Sequence, residues 1–279
     1  MIIDFHTHLF PPTFDKKREE ICRNDATFNE MYSKSTSRIV STRELIKSMD
    51  YSGIQASVIM GIGWTHHSTA KLANDYLLQA ASEYPDRLIP FCSVNPTWGE
   101  LAALELERCA KQGAKGVGEL HPDTQGFDII DPEIMQPMMD CAEALDMPLI
   151  IHSSEPIGHQ YPGKGKTTPD RLWSFIQNFT RNKIVCAHWG GGLPFYALMP
   201  EVERLFTNVY FDTAATPFLY QPKVFDTVTI PIGSHKILFG TDYPLLPQRR
   251  VIQQIEQSSL SKSDQAAMLG INASKLLGL

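Results

Sequence analysis

The 279-residue sequence contains no run of about 18 uninterrupted apolar residues, which excludes a membrane-spanning helix. Its opening, Met1-Ile2-Ile3-Asp4, lacks a basic stretch ahead of an apolar one and reads as a strand rather than a secretory signal. There is no C-x-x-C pair. The five cysteines (Cys22, Cys92, Cys109, Cys141 and Cys186) are odd in number and far apart, which argues against a zinc ribbon or a disulfide framework and for a cytoplasmic chain. Positive charge is in deficit: 25 Lys and Arg against 31 Asp and Glu give a net charge of −6, with the basic residues scattered, so nucleic acid is not an expected partner. No low-complexity tract, sequence repeat or Pro/Ser-rich linker divides the chain, and residues 1–279 read as one domain.

What is present is alternation. Short apolar, β-branched runs recur at Ile2–His6, Ala56–Gly61, Leu88–Val94, Gly116–Leu120, Pro148–His152, Lys183–His188, Val209–Asp212 and Lys236–Gly240. Between them lie stretches with helical spacing near Thr42–Tyr51, Thr69–Tyr84, Gly99–Gln112, Pro132–Leu145, Pro169–Arg181, Pro194–Phe206, Gln221–Ile232 and Gln248–Ser258. Strands alternating with helices imply right-handed βαβ units and a parallel sheet. Eight units in about 250 residues fit a (β/α)8 TIM barrel of the α/β class better than a doubly wound sheet. Two stretches exceed a minimal barrel: Leu9–Ser41 after the first strand, expected as an ordered insertion, and Ser153–Thr168 after the fifth, expected as a long loop. Both fall on the face where barrel enzymes build their sites.

The candidate chemistry sits at strand ends. In Asp4-Phe5-His6-Thr7-His8, residues two apart share one face of a strand, so His6 and His8 present two imidazoles to one point, a geometry suited to a divalent metal. An H-x-H pair alone is a weak signal, but apolar strands also stop at His152, at His188 and near Asp242. Bare imidazoles and a carboxylate at the end of an apolar barrel are costly unless paired or metal-bound. Glu119 is open to two readings, a bridge to a second metal ion or a structural partner of a lysine. His121 shares its face only if the strand continues past Leu120. Asp4, Thr7 and Asp212 are candidates to orient the ligating rings.

Other features are set aside. Gly158–Gly165 matches a phosphate loop except at its last position, where Gly165 replaces the Ser or Thr that would hold Mg2+. Lys164 and His159 on that loop remain candidates to grip an anionic group. Trp64 and Trp189 are either pocket walls or loop packing, and His66 and His67 read as ordinary loop residues.

The ordered set of H-x-H, His152, His188 and Asp242 resembles the amidohydrolase superfamily of metal-dependent barrel enzymes. The stretches E-L-H-P-D-T-Q-G-F-D, I-I-H-S-S-E-P, A-H-W-G-G-G-L-P and F-G-T-D-Y-P are similar to its amidohydrolase-2 branch, which includes hydrolases and non-oxidative decarboxylases. The resemblance implies that His6, His8 and Asp242 bind the more buried metal and that His152 is a further ligand. It also implies that His188 either binds a second ion or polarises the substrate. Glu119 occupies the position of the superfamily's bridging ligand, often a carboxylated lysine. The expected cofactor is Zn2+, as one or two ions, with another divalent metal as the alternative. The expected activity is hydrolysis of a small amide, ester or lactone by a metal-activated water, with Asp242 as general base and His188 stabilising the developing oxyanion. The alternative is a non-oxidative decarboxylase of a small carboxylate, to which a bridging Glu119 gives no role. A non-catalytic metal-binding barrel is the third reading. The expected partner is a small molecule, held in part by a neighbouring subunit if the resemblance extends to a homo-oligomer.

Overall fold

Apolar runs with no polar face belong in a sheet covered on both sides. In the structure, a computed structural model that describes residues 1–279, they form eight parallel strands: β1 (Ile3–His8), β2 (Ala56–Met60), β3 (Leu88–Cys92), β4 (Gly116–Leu120), β5 (Leu149–Ile151), β6 (Ile184–Cys186), β7 (Val209–Asp212) and β8 (Ile237–Leu238). They pair in sequence order. The ring closes where Phe5 N donates to Phe239 O (2.7 Å), Asp242 N to His6 O (2.9 Å) and His8 N to Tyr243 O (2.7 Å). This is the (β/α)8 barrel expected from the alternation.

The Leu9–Ser41 stretch is ordered, as its length implied. It carries three short helices, α1 (Thr13–Lys16), α2 (Arg18–Asn24) and α3 (Ala26–Tyr32). Phe10, Phe14, Phe28, Tyr32 and Trp64 form an aromatic cluster beneath it, with Phe28 stacked on Trp64 at 5.9 Å. The long helices that follow, α4 (Thr42–Ser52), α5 (His67–Glu83) and α6 (Glu100–Lys111), lie close to their expected bounds, as do α8 (Pro132–Ala144) and α9 (Pro169–Asn178); the four-residue α7 (Pro122–Gln125) was not anticipated. Ser41 caps α4 in a capping box with Glu44. Residues 153–168 contain no helix or strand.

Two expectations need correcting. The single helix expected over Pro194–Phe206 is instead a 3-10 turn (Leu193–Leu198), a short helix (Pro200–Glu203) and a second 3-10 turn (Arg204–Asn208); Pro200 falls inside the expected span and cannot donate the amide that a continuous helix needs there. The chain also ends in helices at Lys262–Ala266 and Asn272–Leu277 that the pattern did not reveal.

A cluster of 13 buried residues, including Ile3, Phe5, Val58, Phe91, Ile150, Val185 and Leu238, fills the barrel, with Ala273 and Leu276 of the last helix joining it. A larger cluster packs the outer faces of the strands against the helices. One polar tie fixes the top of β3. Asn74 of α5 accepts from Ser93 N (2.9 Å) and donates to Ser93 O (3.1 Å) and to the buried Glu105 of α6 (2.9 Å). Ser93 Oγ in turn donates to Gly118 O (2.7 Å), one residue before Glu119. Asn74→Ala removes donors from a buried carboxylate and a backbone carbonyl at once. It should destabilise the protein by about 2–4 kcal/mol in urea unfolding, and a loss below about 0.5 kcal/mol would refute this role.

Candidate metal centre

Every residue picked out at a strand end faces the same point. His6 and His8 come from β1, Glu119 from β4, His152 and His188 from just beyond β5 and β6, and Asp242 from just beyond β8; all are buried. Glu119 lies at the centre. Its Oε2 is 3.6 Å from both His6 Nε2 and His8 Nε2, and its Oε1 is 3.0 Å from His152 Nδ1 and 3.3 Å from His188 Nε2. His121, left open by the sequence, belongs here too. Its Nε2 donates to Glu119 Oε2 at 2.9 Å and its ring stacks on His152 at 4.6 Å. No lysine is paired with Glu119, so the structural ion-pair reading fails.

The outward nitrogens of the four rings fix their tautomers. His6 Nδ1 donates to Asp212 Oδ2 (2.8 Å), His8 Nδ1 to Gly61 O (2.9 Å), His152 Nε2 to Gly163 O (2.9 Å) and His188 Nδ1 to Ala214 O (3.3 Å). Each ring, when neutral, therefore turns its lone pair inward. The inward pairs face each other closely: His6 Nε2 and His8 Nε2 are 3.2 Å apart, and His188 Nε2 and His152 Nδ1 are 3.1 Å apart. Two ring nitrogens that close need positive charge between them, either a proton or a metal cation. Two donor triads result, His6–His8–Glu119 and Glu119–His152–His188, with the ligand atoms of each within 4.8 Å of one another. Asp242 Oδ1, 3.2 Å from His8 Nε2, adds a carboxylate beside the first. Buried nitrogen and oxygen donors of this kind fit a divalent cation.

The electrostatics agree. Burial alone would push the His6 imidazole down, but Asp212 and Glu119 outweigh it and hold its pKa well above the ordinary value. Burial disfavours the charge on Glu119, yet His121, His6 and His152 keep its carboxyl well below the usual range. Asp242 is likewise held low, against burial, by His8, His6 and His188. His188 rises to about 9, because Glu119 and Asp242 exceed its burial penalty. His121 falls to about 4, since burial dominates there, and so donates to Glu119 as a neutral ring. The carboxylates thus call for positive charge, which protons on His6 and His188 or a metal cation on their inward nitrogens can supply.

Of the three residues expected to orient ligating rings, only Asp212 does so. Its Oδ2 accepts from His6 Nδ1, while its Oδ1 accepts from the backbone N of His188 (2.8 Å) and Ala214 (3.0 Å), joining the His6 ring to the His188 backbone through one side chain. The register of β1 against β2 shifts between Asp4 and Thr7. Asp4 reaches no ring: its Oδ2 accepts from Thr241 Oγ1 (2.6 Å) and Gln248 Nε2 (2.7 Å) and its Oδ1 from the backbone N of His6 (3.2 Å) and Thr241 (3.1 Å), while Thr7 Oγ1 donates to Val58 O (2.6 Å). Trp64 and Trp189 pack loops and do not wall the cavity, and Lys164 Nζ donates to Ile157 O (2.9 Å) and His159 O (3.0 Å).

His188 is presented by an unusual backbone. His188, Trp189, Gly190, Gly191 and Gly192 run consecutively at φ 54°, 58°, 57°, 58° and 99°, a left-handed turn held by Gly191 N→His188 O (3.2 Å) and Gly192 N→Trp189 O (3.0 Å). Asp242 also sits at φ 63°. Left-handed backbone costs roughly 1–2 kcal/mol for each residue that is not glycine, and such strain concentrates at functional sites. The glycines that follow make the turn tolerable. The centre opens on a cavity of about 310 Å3 lined by His152, His188, Asp242, Met31, Phe218 and Leu245, with His159 and Tyr161 of the long loop at its edge.

A family model described as "Amidohydrolase" matches residues 3–279. A gamma-resorcylate decarboxylase of Polaromonas is 26% identical over 254 aligned positions, covering 76% of this chain and 77% of the relative. A 2-amino-3-carboxymuconate-6-semialdehyde decarboxylase of Dictyostelium discoideum is 24% identical over 332 aligned positions, covering 99% and 91%. The crystal structure of 5-carboxyvanillate decarboxylase from Novosphingobium aromaticivorans, complexed with manganese and a nitrobenzoic acid, superposes with a TM-score of 0.83 at 19% identity, covering 100% of this chain and 96% of that one. That last likeness establishes the shared fold.

These relatives overturn the expectation of hydrolysis by a metal-activated water with Asp242 as its base: they are decarboxylases. The physical reason is that one set of imidazoles and carboxylates serves both reactions, so ligand identity cannot separate them. Zinc finds no support among them either, since the metal in the solved relative is manganese.

Gly191 gives a direct test of the turn that carries His188. A Cβ there would lie 2.3 Å from Ser154 O, at a φ of 58° that side chains rarely adopt. Gly191→Ala should lower unfolding stability by about 2 kcal/mol or more, and a change within about 0.5 kcal/mol would contradict the account of the turn.

Proposed function

Since the chain belongs to the amidohydrolase family, we propose that it is a divalent-metal-dependent carboxy-lyase acting on a small carboxylic acid of about one ring in size. The observation that carries this reading is the buried donor set around Glu119, at the floor of a cavity whose lining contains no Lys or Arg. A cavity of about 310 Å3 is at the small end for ligand pockets. Without a cationic side chain in its wall, it suits an acid whose single carboxylate goes to the centre and whose remainder is neutral. The relatives named for benzoate-type acids support the same class.

His6, His8 and Asp242 would hold one ion, and Glu119, His152 and His188 form the donor set for a second. The resident metal is Mn2+ in this reading, supported by the manganese of the solved relative and by the carboxylates in the set. When bound, the ion supplies a positive charge that grips the acid and draws electron density from the carbon that is to lose CO2. The reaction breaks one carbon–carboxylate bond, releases CO2, and places a proton on the carbon left behind. Asp242, whose carboxyl stays ionised, is the residue proposed to relay that proton from solvent to the carbon: it lines the cavity, and Oδ1 is held beside His8. His188, whose backbone N is fixed by Asp212, holds the polar end of the acid in place. Phe218, Met31 and Leu245 cover the ring and keep water from it. Residues 1–279 act as one catalytic unit, in the cytoplasm in keeping with five unpaired cysteines.

The reading is tested by adding carboxyl-13C-labelled 2,6-dihydroxybenzoate and 5-carboxyvanillate to manganese-loaded protein and following labelled CO2 and bicarbonate. Label should be released from at least one acid, release should stop after chelation, and Asp242→Asn should slow it by about 10²–10⁴-fold. Intact acids throughout, or an Asp242→Asn variant as fast as wild type, would refute it.

A further inference from the structure

Three of the four rings around Glu119 send their outward hydrogen bond to the barrel itself: His6 to Asp212 of β7, His8 to Gly61 just beyond β2, and His188 to Ala214 just beyond β7. His152 does not. Its Nε2 donates to Gly163 O (2.9 Å), which belongs to the 153–168 loop, 11 residues further along the chain. That contact turns His152 Nδ1 toward Glu119 Oε1 (3.0 Å). A loop without helix or strand has no ladder to fix a carbonyl, so the direction of this ring depends on whatever holds residues 163–166. Three side chains do. Glu30 of α3 accepts from Gly163 N (3.2 Å), Ser154 Oγ from Gly165 N (2.9 Å), and Asp123 Oδ2, in the first turn of α7, from Lys166 N (2.7 Å). The fit is close, since a Cβ on Gly165 would collide with Asp123 Oδ2. Thr27 and Thr124 join α3 to α7 through their hydroxyls (2.6 Å), so Glu30 and Asp123 stand on one platform.

The carboxylates of Glu30 and Asp123 are exposed, and both spend a hydrogen bond on a backbone amide of this loop. We propose that Asp123, with Glu30, is a positioning residue for the metal centre. Pinning residues 163–166 keeps Gly163 O on His152 Nε2, and so keeps His152 Nδ1 directed at a cation shared with Glu119 and His188. The inference rests on that donor set holding a divalent cation and not on the loss of CO2. The outer partner of a ligating histidine sets metal affinity by about 10–100-fold. Here the partner is a loop carbonyl, so the side chains that pin the loop act on metal retention from a distance. With the clamp open, the His152 ring is free to rotate and the ion loses one of its donors. Tyr161 and Pro162 of the same loop line the cavity, so one clamp sets both the ring and the wall beside it.

The test is the transfer of Mn2+ from the loaded full chain to an excess of the chromogenic chelator 4-(2-pyridylazo)resorcinol, followed by absorbance. The phase that disappears in His152→Ala belongs to the ion at that ring. In that phase Asp123→Ala should speed release about fivefold, and Glu30→Ala combined with Asp123→Ala about tenfold or more. Asp123→Asn keeps an oxygen that accepts from Lys166 N and should stay within about twofold of wild type. Asp128→Ala is the control for general loosening: Asp128 is also exposed but pairs with Arg171 of α9, away from residues 163–166, so its loss should leave the rate unchanged. Circular dichroism confirms that each variant is folded, which the exposure of the substituted carboxylates favours. Wild-type release from the folded double variant would overturn the proposal. So would Asp123→Asn as fast as Asp123→Ala, equal acceleration by Asp128→Ala, or a release profile that His152→Ala leaves unchanged. Wild-type protein that takes up no Mn2+ would overturn the metal reading and this inference with it, whereas uptake with unaltered release in the variants overturns this inference alone.

Discussion

One buried carboxylate organises the upper end of this barrel. Glu119 faces inward nitrogens of His6, His8, His121, His152 and His188, all within 3.6 Å of one or other of its oxygens. In water such a cluster would scatter or protonate at random. Here the outward ring nitrogens of four of the histidines are tied to Asp212, Gly61, Gly163 and Ala214, so the direction of each lone pair is decided before any ligand arrives. The cost of holding these nitrogens and the carboxylate close together is offset by packing the strands that carry them, since His6 and Glu119 belong to strands buried along their whole length.

The supports of the centre are economical. Asp212 holds the His6 ring with one oxygen and the His188 backbone with the other, so β7, which contributes no inward-facing donor, sets the positions of two that do. Ser93, under Asn74 and Glu105, holds the carbonyl that precedes Glu119. His188 and Asp242, the two residues given roles toward substrate, both sit in left-handed backbone. Their side chains are aimed by main-chain geometry as much as by rotamer choice, and the Gly190–Gly192 run makes that geometry affordable for His188.

Much of this was legible in the sequence because the barrel puts function at strand ends. Apolar runs that stop at His152 and His188, and the H-x-H of β1, announce both the fold and the donors by period and position alone. What escaped depends on local departures from period. The register shift inside β1 turns Asp4 to Thr241 and Gln248, although two-residue spacing groups it with His6 and His8. His121 lies past the end of β4 beside Pro122, where no repeat predicts a direction, yet it donates to Glu119. The backbone carbonyls of Gly61, Gly163 and Ala214 that orient three rings carry no side-chain signature at all. Reaction type was the least legible feature, because proton transfer at a metal-held acid and water attack at a metal-held carbonyl require the same kinds of side chain.

The measurement that bears most directly on the central claim is anomalous diffraction at the manganese edge from crystals of the full chain grown with Mn2+. The account predicts a peak within coordination distance of His6, His8 and Asp242, and a second peak at Glu119, His152 and His188 if both donor triads are used. Well-diffracting crystals with manganese bound elsewhere, or with no peak among the rings that surround Glu119, would contradict it.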